Sequence, residues 1–230
     1  MSEDRGIECP TCKAVSQRAP LREVQLEQIS LCLKQHWGLI KTELLISDEM
    51  RSMWEDVRLD PGTAHSLLLL SSDLKSVRYG TMCHNTEPDA CRVTQLVSVL
   101  GSPSFSRGCH YWEVEVGEGH EWALGVCRDS VDRQCKGDVS CEQGFWIISK
   151  QAGEIRAHSL QPRILRASPG LHRVGIFVNV ELEVVKFFDA ANNSYLYMYK
   201  SVPSCEPLRP FFSPGPPREG ATAVPLRICQ

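Results

Sequence analysis

Cys109-His110-Tyr111-Trp112-Glu113-Val114-Glu115-Val116, then Gly117-Glu118-Gly119-His120-Glu121, then Trp122-Ala123-Leu124-Gly125-Val126: the reading of this stretch decides the fold. Trp112, Val114 and Val116 share one face of an extended chain, while Tyr111, Glu113 and Glu115 share the other. Trp122, Leu124 and Val126 repeat the pattern. Strict alternation marks half-buried strands, and the glycines between the runs suit a tight connection, so the spacing predicts an antiparallel hairpin. An isolated hairpin is marginal in water and cannot bury this cluster of tryptophan and valine. Another sheet must lie against it.

Outward from there the pattern continues. Leu67–Leu70 and Leu74–Tyr79 read as short strands before the stretch. After it come Gly144–Ile148, Ile155–His158, Val174–Val180, Glu183–Phe188, Tyr195–Tyr199 and Val224–Ile228. Asp60-Pro61-Gly62 and Asn192-Asn193 supply turns. Many short strands at near-regular spacing mean a β-sandwich or barrel, and the lack of helices between them excludes a parallel α/β sheet. Leu21 to about Val57 is instead helical in period, with Leu39, Ile46, Met50, Met53 and Val57 on one face. That face needs a partner, either the β-domain behind it or a second chain.

Composition bounds the rest. With 230 residues, 42% hydrophobic and 23% charged, the chain can build one ordinary core. A net charge of -3 carries no basic footprint for nucleic acid or membrane. No apolar run approaches the ~18 residues of a membrane span, and the acidic start is unlike a secretory leader, so a soluble intracellular protein is expected. The 11 cysteines are irregularly spaced and read mostly as free thiols. Cys9-Pro10-Thr11-Cys12 is half of a tetrahedral zinc site, or a leftover fragment, because Cys32 and His36 lie inside the helical pattern. No cofactor other than zinc at Cys9 and Cys12 is indicated. There is no nucleophile elbow, His-Glu-x-x-His or phosphate loop. Cys109 and His110 are strand neighbours that face opposite ways and cannot act as a pair.

Several motifs then stand in one order: Leu59-Asp60-Pro61, Tyr111-Trp112-Glu113-Val114-Glu115-Val116, Leu124-Gly125-Val126-Cys127-Arg128, Gly144-Phe145-Trp146, Arg173-Val174-Gly175-Ile176-Phe177 and Leu208-Arg209-Pro210-Phe211-Phe212-Ser213-Pro214-Gly215. Together they resemble the PRY-SPRY (B30.2) domain of tripartite-motif ubiquitin ligases and butyrophilins, and most of all the ret finger protein-like group. Cys9-Pro10-Thr11-Cys12-Lys13 resembles the last cysteine pair of a RING whose other ligands are missing. The resemblance implies a RING-remnant tail at 1–20, a helical segment at 21–55, a PRY part at 56–105 and a SPRY part at 106–229. The fold it implies is mainly β, a two-sheet antiparallel β-sandwich of concanavalin-like jelly-roll type. A departure stands at Val178-Asn179-Val180-Glu181, where relatives commonly carry Leu-Asp; a contact made by that acid would be lost.

By the same resemblance, partners dock on loops at one edge: 78–92, 118–121, 128–138, 149–156 and 212–215. The implied binding residues are Tyr79, His84, Asn85, His120, Trp122, Arg128, Asp129, Arg133, Trp146, Ser149, Gln151 and Phe212, with Trp112 read as core. Some relatives carry aromatics after Gly-Phe-Trp; Ser149, Lys150 and Gln151 make this groove more polar. A phosphorylated small ligand, as in some butyrophilins, is disfavoured by the lack of a basic cluster. The implied role is protein or peptide recognition in a ubiquitin-ligase system, in innate immunity or gene regulation, in the cytoplasm or nucleus. Its partners would be a protein ligand, ligase relatives or an E2 enzyme, with self-association through 21–55. The alternative is a RING-type ligase whose zinc sites are completed elsewhere.

Overall fold

The computed structural model describes residues 7–8, 15–16, 30–31, 45–80, 96–133, 139–217, 220 and 222–230. The chain forms two compact units, Met1–Glu43 and Leu44–Gln230. In the first, β1 (Ile7–Glu8) pairs antiparallel with β2 (Val15–Ser16). Cys9 and Cys12, and most of the helical pattern before Leu44, lie outside the described residues.

The second unit is a sandwich of two seven-stranded antiparallel sheets. Its strands are β3 (Arg58–Leu59), β4 (Leu68–Leu70), β5 (Ser76–Tyr79), β6 (Val99–Ser102), β7 (Cys109–Glu115), β8 (Trp122–Arg128) and β9 (Phe145–Gln151). They continue as β10 (Glu154–Ala157), β11 (Arg163–Ile164), β12 (Arg173–Asn179), β13 (Val184–Asp189), β14 (Ser194–Tyr199), β15 (Leu208–Pro214) and β16 (Leu226–Ile228). One sheet runs β14-β13-β12-β7-β16-β5-β4, the other β11-β10-β9-β8-β15-β6-β3.

The expected hairpin does not form. β7 pairs with β12 and β16, β8 with β9 and β15, so the connection after Val116 carries the chain from one sheet to the other. Trp112, Val114 and Val116 meet Trp122, Leu124 and Val126 across the sandwich, in one core cluster with Val174, Ile176, Val178 and Phe187. Facing strands of two sheets show the same alternation as paired strands of one sheet, which is why the pattern alone could not separate the two. Apolar burial of this extent is the main favourable term in the fold. Gly125, at φ +151°, shows how little room is left: a Cβ there would lie 2.4 Å from the Trp146 carbonyl oxygen on the neighbouring strand and 3.0 Å from Phe187 Cζ of the facing sheet.

The outward face of β7 is also covered. Ser47 caps a short helix, Asp48–Ser52, by accepting from the Met50 N–H at 3.1 Å. Ile46 and Met50 pack against Tyr111, Phe177, Phe188 and Ala190. The Tyr111 N–H donates to Met53 O at 2.8 Å, and the Glu55 N–H to Tyr111 O at 2.7 Å. Residues 46–55 thus dock on the chain's own sheet, but the expected single helical face does not extend to Val57: the helix ends at Ser52, Met53 is exposed and Val57 belongs to the inner core. Beneath them Glu113, nearly buried, accepts from the Tyr111 hydroxyl at 2.7 Å and faces Arg51 and Arg173. Buried carboxylates persist where such partners satisfy them.

Candidate functional site

Register assigns every loop to an end of the sandwich. β8 runs from Trp122, opposite Lys150 and Pro214, to Arg128, opposite Leu208. Loops beside Trp122 therefore share one end, and loops beside Arg128 share the other. At the first end the connection before β8, the Ala152-Gly153 turn between β9 and β10, and the segment after β15 converge. The Gly215 N–H donates to Glu121 O at 2.9 Å. Gly215 is required there, because a Cβ would lie 2.4 Å from Glu121 Cβ. His120, Glu121, Ala152, Pro216 and Pro217 line a hollow of about 230 Å³. Gly117 and Val224 extend this end toward the other sheet, a Cβ on Gly117 falling 3.1 Å from the valine. Tyr79, half-buried at the end of β5, lies on the same side, and burial raises its phenol above the ordinary range.

At the second end the charged residues engage one another. Arg209 donates through Nε to Gly101 O at 3.0 Å and through Nη2 to Asp60 Oδ2 at 2.8 Å; its Nη1 lies 3.5 Å from Asp129 Oδ1. Arg133 donates to Thr63 O at 2.6 Å. The Arg128 guanidinium lies 5.7 Å from the Trp146 ring centroid, in cation–π range. Ser130 donates to Glu206. The Arg209 hydrogen bond holds the Asp60 carboxyl below the usual carboxylate range against the opposing effect of burial, and the Gly62 N–H adds to it.

The loops read from sequence as one docking edge thus divide between two ends. His120 and Gln151 are exposed at the first end. Ser149 lies on the outer side of β9, where its hydroxyl sits 2.7 Å from His158 Nε2, and His158 Nδ1 is 2.9 Å from Val139 O. Arg128, Asp129 and Arg133 stand at the opposite end. Three proposed contact residues are corrected: Trp122, Trp146 and Phe212 are 3%, 3% and 1% exposed and belong to the core cluster. Their alternation places them inward, away from a partner at the loops, and Trp146 borders instead the groove beside β14. His84 and Asn85 lie outside the described residues. Sequence reasoning placed Glu121 and Ala152 inside its docking loops without singling them out, and it passed over Pro216 and Pro217. The signal available was the Pro214-Gly215-Pro216-Pro217 run, a rigid segment with a single glycine permitting close approach.

Comparison with known proteins follows the same outline. Residues 57–105 match the PRY model, described as a SPRY-associated domain, and residues 109–227 match the SPRY domain. The chain is 43% identical over 221 residues to human Ret finger protein-like 4B, covering 96% of this chain and 81% of that one. It is 38% identical over 207 residues to mouse E3 ubiquitin-protein ligase TRIM68, covering 89% of this chain and 42% of that one. The crystal structure of the TRIM65 PSpry domain superposes with a TM-score of 0.65 at 21% identity, over 80% of this chain and 94% of that one.

Proposed function

The chain belongs to the PRY-SPRY family, and from that premise we propose that it is a protein-recognition module whose ligand docks on the loops around His120, Ala152 and Pro216. The observation that supports this reading is their convergence. Loops that run over the surface from a rigid scaffold are where binding residues concentrate. Here three segments distant in sequence meet around a hollow rimmed by the exposed His120 and Glu121. An imidazole, a carboxylate and two prolines offer a mixed polar and apolar contact surface. The likeness to a tripartite-motif ubiquitin ligase supports a role for the module in a ligase system, as the part that selects substrate or regulates a full-length relative.

The test places a photo-cross-linking residue at Pro217 and, in a second variant, at Asp129 in the full chain. Specific protein capture at Pro217 and none at Asp129 is expected; the reverse refutes the loop-end reading. In parallel, the purified chain is incubated with a panel of E2 enzymes and assayed for zinc. Ubiquitin chains together with bound zinc would establish the alternative, a RING-type ligase using Cys9 and Cys12.

A further inference from the structure

A second surface lies on the flank where both sheets end. β14 is the outermost strand of one sheet and β11 of the other. Between them runs a groove of about 980 Å³, with Tyr197, Met198 and Lys200 on one wall, Leu160 and Arg163 on the other, and Trp146 reaching it from the core. None of its lining residues takes part in the hollow at the loop end.

β14 pairs with β13 and has no other strand neighbour among the described residues. A strand edge of this kind presents a row of backbone donors and acceptors to any extended chain that lies beside it. Proteins blunt such edges with lysine, proline or inward charge. Ser194-Tyr195-Leu196-Tyr197-Met198-Tyr199 carries none of these; its one protective device is a β-bulge at Leu196, where Phe187 pairs with Tyr197 and Phe188 with Tyr195, and the edge is regular on either side of it. The groove's chemistry is similarly specific. Leu160 is 70% exposed at the rim, a large aliphatic side chain left in water. Arg163 and Lys200 are exposed cations, against the single carboxylate of Glu142.

From this geometry we infer that the flank binds an extended acidic peptide segment, which adds to β14 as a further strand. Its backbone pairs with the edge that no described strand occupies, its aliphatic side chains lie on Leu160, Tyr197 and Met198, and its carboxylates face Arg163 and Lys200. Main-chain bonds then give affinity while side-chain pockets and charge give selectivity. This site is independent of the loop-end reading, so the two stand or fall separately.

The experiment pans a phage-displayed library of random dodecapeptides against the full chain and against the double variant Arg163→Glu/Lys200→Glu. Both substituted residues are exposed, and an unchanged thermal melt confirms the fold. Selected peptides should be acidic with alternating aliphatic residues. The synthetic consensus should bind the double variant about fivefold more weakly, as two rim charges imply. N-methylation of alternate backbone nitrogens in the peptide should abolish binding, and Leu160→Asp should weaken it. Basic or neutral consensus sequences, or binding that withstands N-methylation, overturn the proposal. So does a dimer of the free chain that Leu160→Asp dissolves, because the edge would then serve a second copy.

Discussion

The two ends of the sandwich draw on similar residues and use them differently. Around Arg209 the polar groups are occupied: an arginine 15% exposed bonds a carbonyl and an aspartate from the PRY part and faces an aspartate from the loop after β8. Around Gly215 the loops meet through one backbone hydrogen bond and a close glycine contact, leaving His120 and Glu121 in solvent. Whether a loop charge is available to a partner is therefore decided by what the neighbouring strand sends toward it. β15 supplies both answers, an arginine near its start and a proline followed by glycine at its end.

The largest expected effect is at the closed end. Arg209→Ala removes the group satisfying Gly101 O and Asp60 and leaves that carboxylate partly buried without its cation. Loss of one member of such a pair costs about 3 kcal/mol. A denaturant titration should show the midpoint falling with little change in slope, while ligand capture through Pro217 persists. A stability loss below about 1 kcal/mol would mean the ends are not held differently.

At the open end Gly215→Ala should cost less, about 2 kcal/mol, because overpacking can relax by moving a surface loop. That relaxation displaces Glu121 and Pro216, so capture at Pro217 should drop sharply. The sharpest form of the comparison is this crossed pattern: one variant loses more stability and keeps the ligand, the other loses less stability and loses the ligand. Parallel losses in both assays would dissolve the distinction.

How much of this was legible beforehand depends on range. Face assignment along each strand was readable: Val174, Ile176, Val178 and Val180 point inward together, as their alternation required. Partnering was not. β7 and β8 adjoin in sequence yet lie in different sheets, and nothing in a period of two states whether the next strand pairs beside or packs opposite. The Asp60-Pro61-Gly62 turn was visible, and it forms a single 3-10 turn capped by the Asp60 side chain. That the same aspartate also takes Arg209 from 149 positions away was invisible, since such a contact exists only once the sheets assemble. Trp122, Trp146 and Phe212 stood among the binding residues implied by the family resemblance, although their inward register already argued for the core.

Acid should reveal the closed end in a second way. Asp60 is held below its ordinary value of 3.8 chiefly by the Arg209 hydrogen bond. A carboxyl depressed on folding stabilises the native state above its unfolded value, and that contribution disappears as pH falls through the folded value. The melting temperature of the wild type should therefore drop more steeply below about pH 4 than that of Asp60→Asn, which has no proton to take up there. Superimposable curves would show that the Asp60–Arg209 contact carries no net weight.

The smallest effect reads the same end through a thiol. Cys127 sits on β8 among Leu100, Phe145, Ile147 and Phe211, and burial pushes it up to about 12; Cys205 is exposed in the loop leading to β15. Only the thiolate reacts readily, so iodoacetamide near neutral pH should label Cys205 while Cys127 waits for the structure to open. The rate at Cys127 then measures that opening. It should rise in Arg209→Ala, whose loss lies beside this thiol and is the greater, by more than in Gly215→Ala. If Cys127 in the wild type is alkylated as fast as Cys205, the packing that separates a closed end from an open one is absent. If the two variants label equally, opening at the Arg128 end does not depend on the arginine that bridges it.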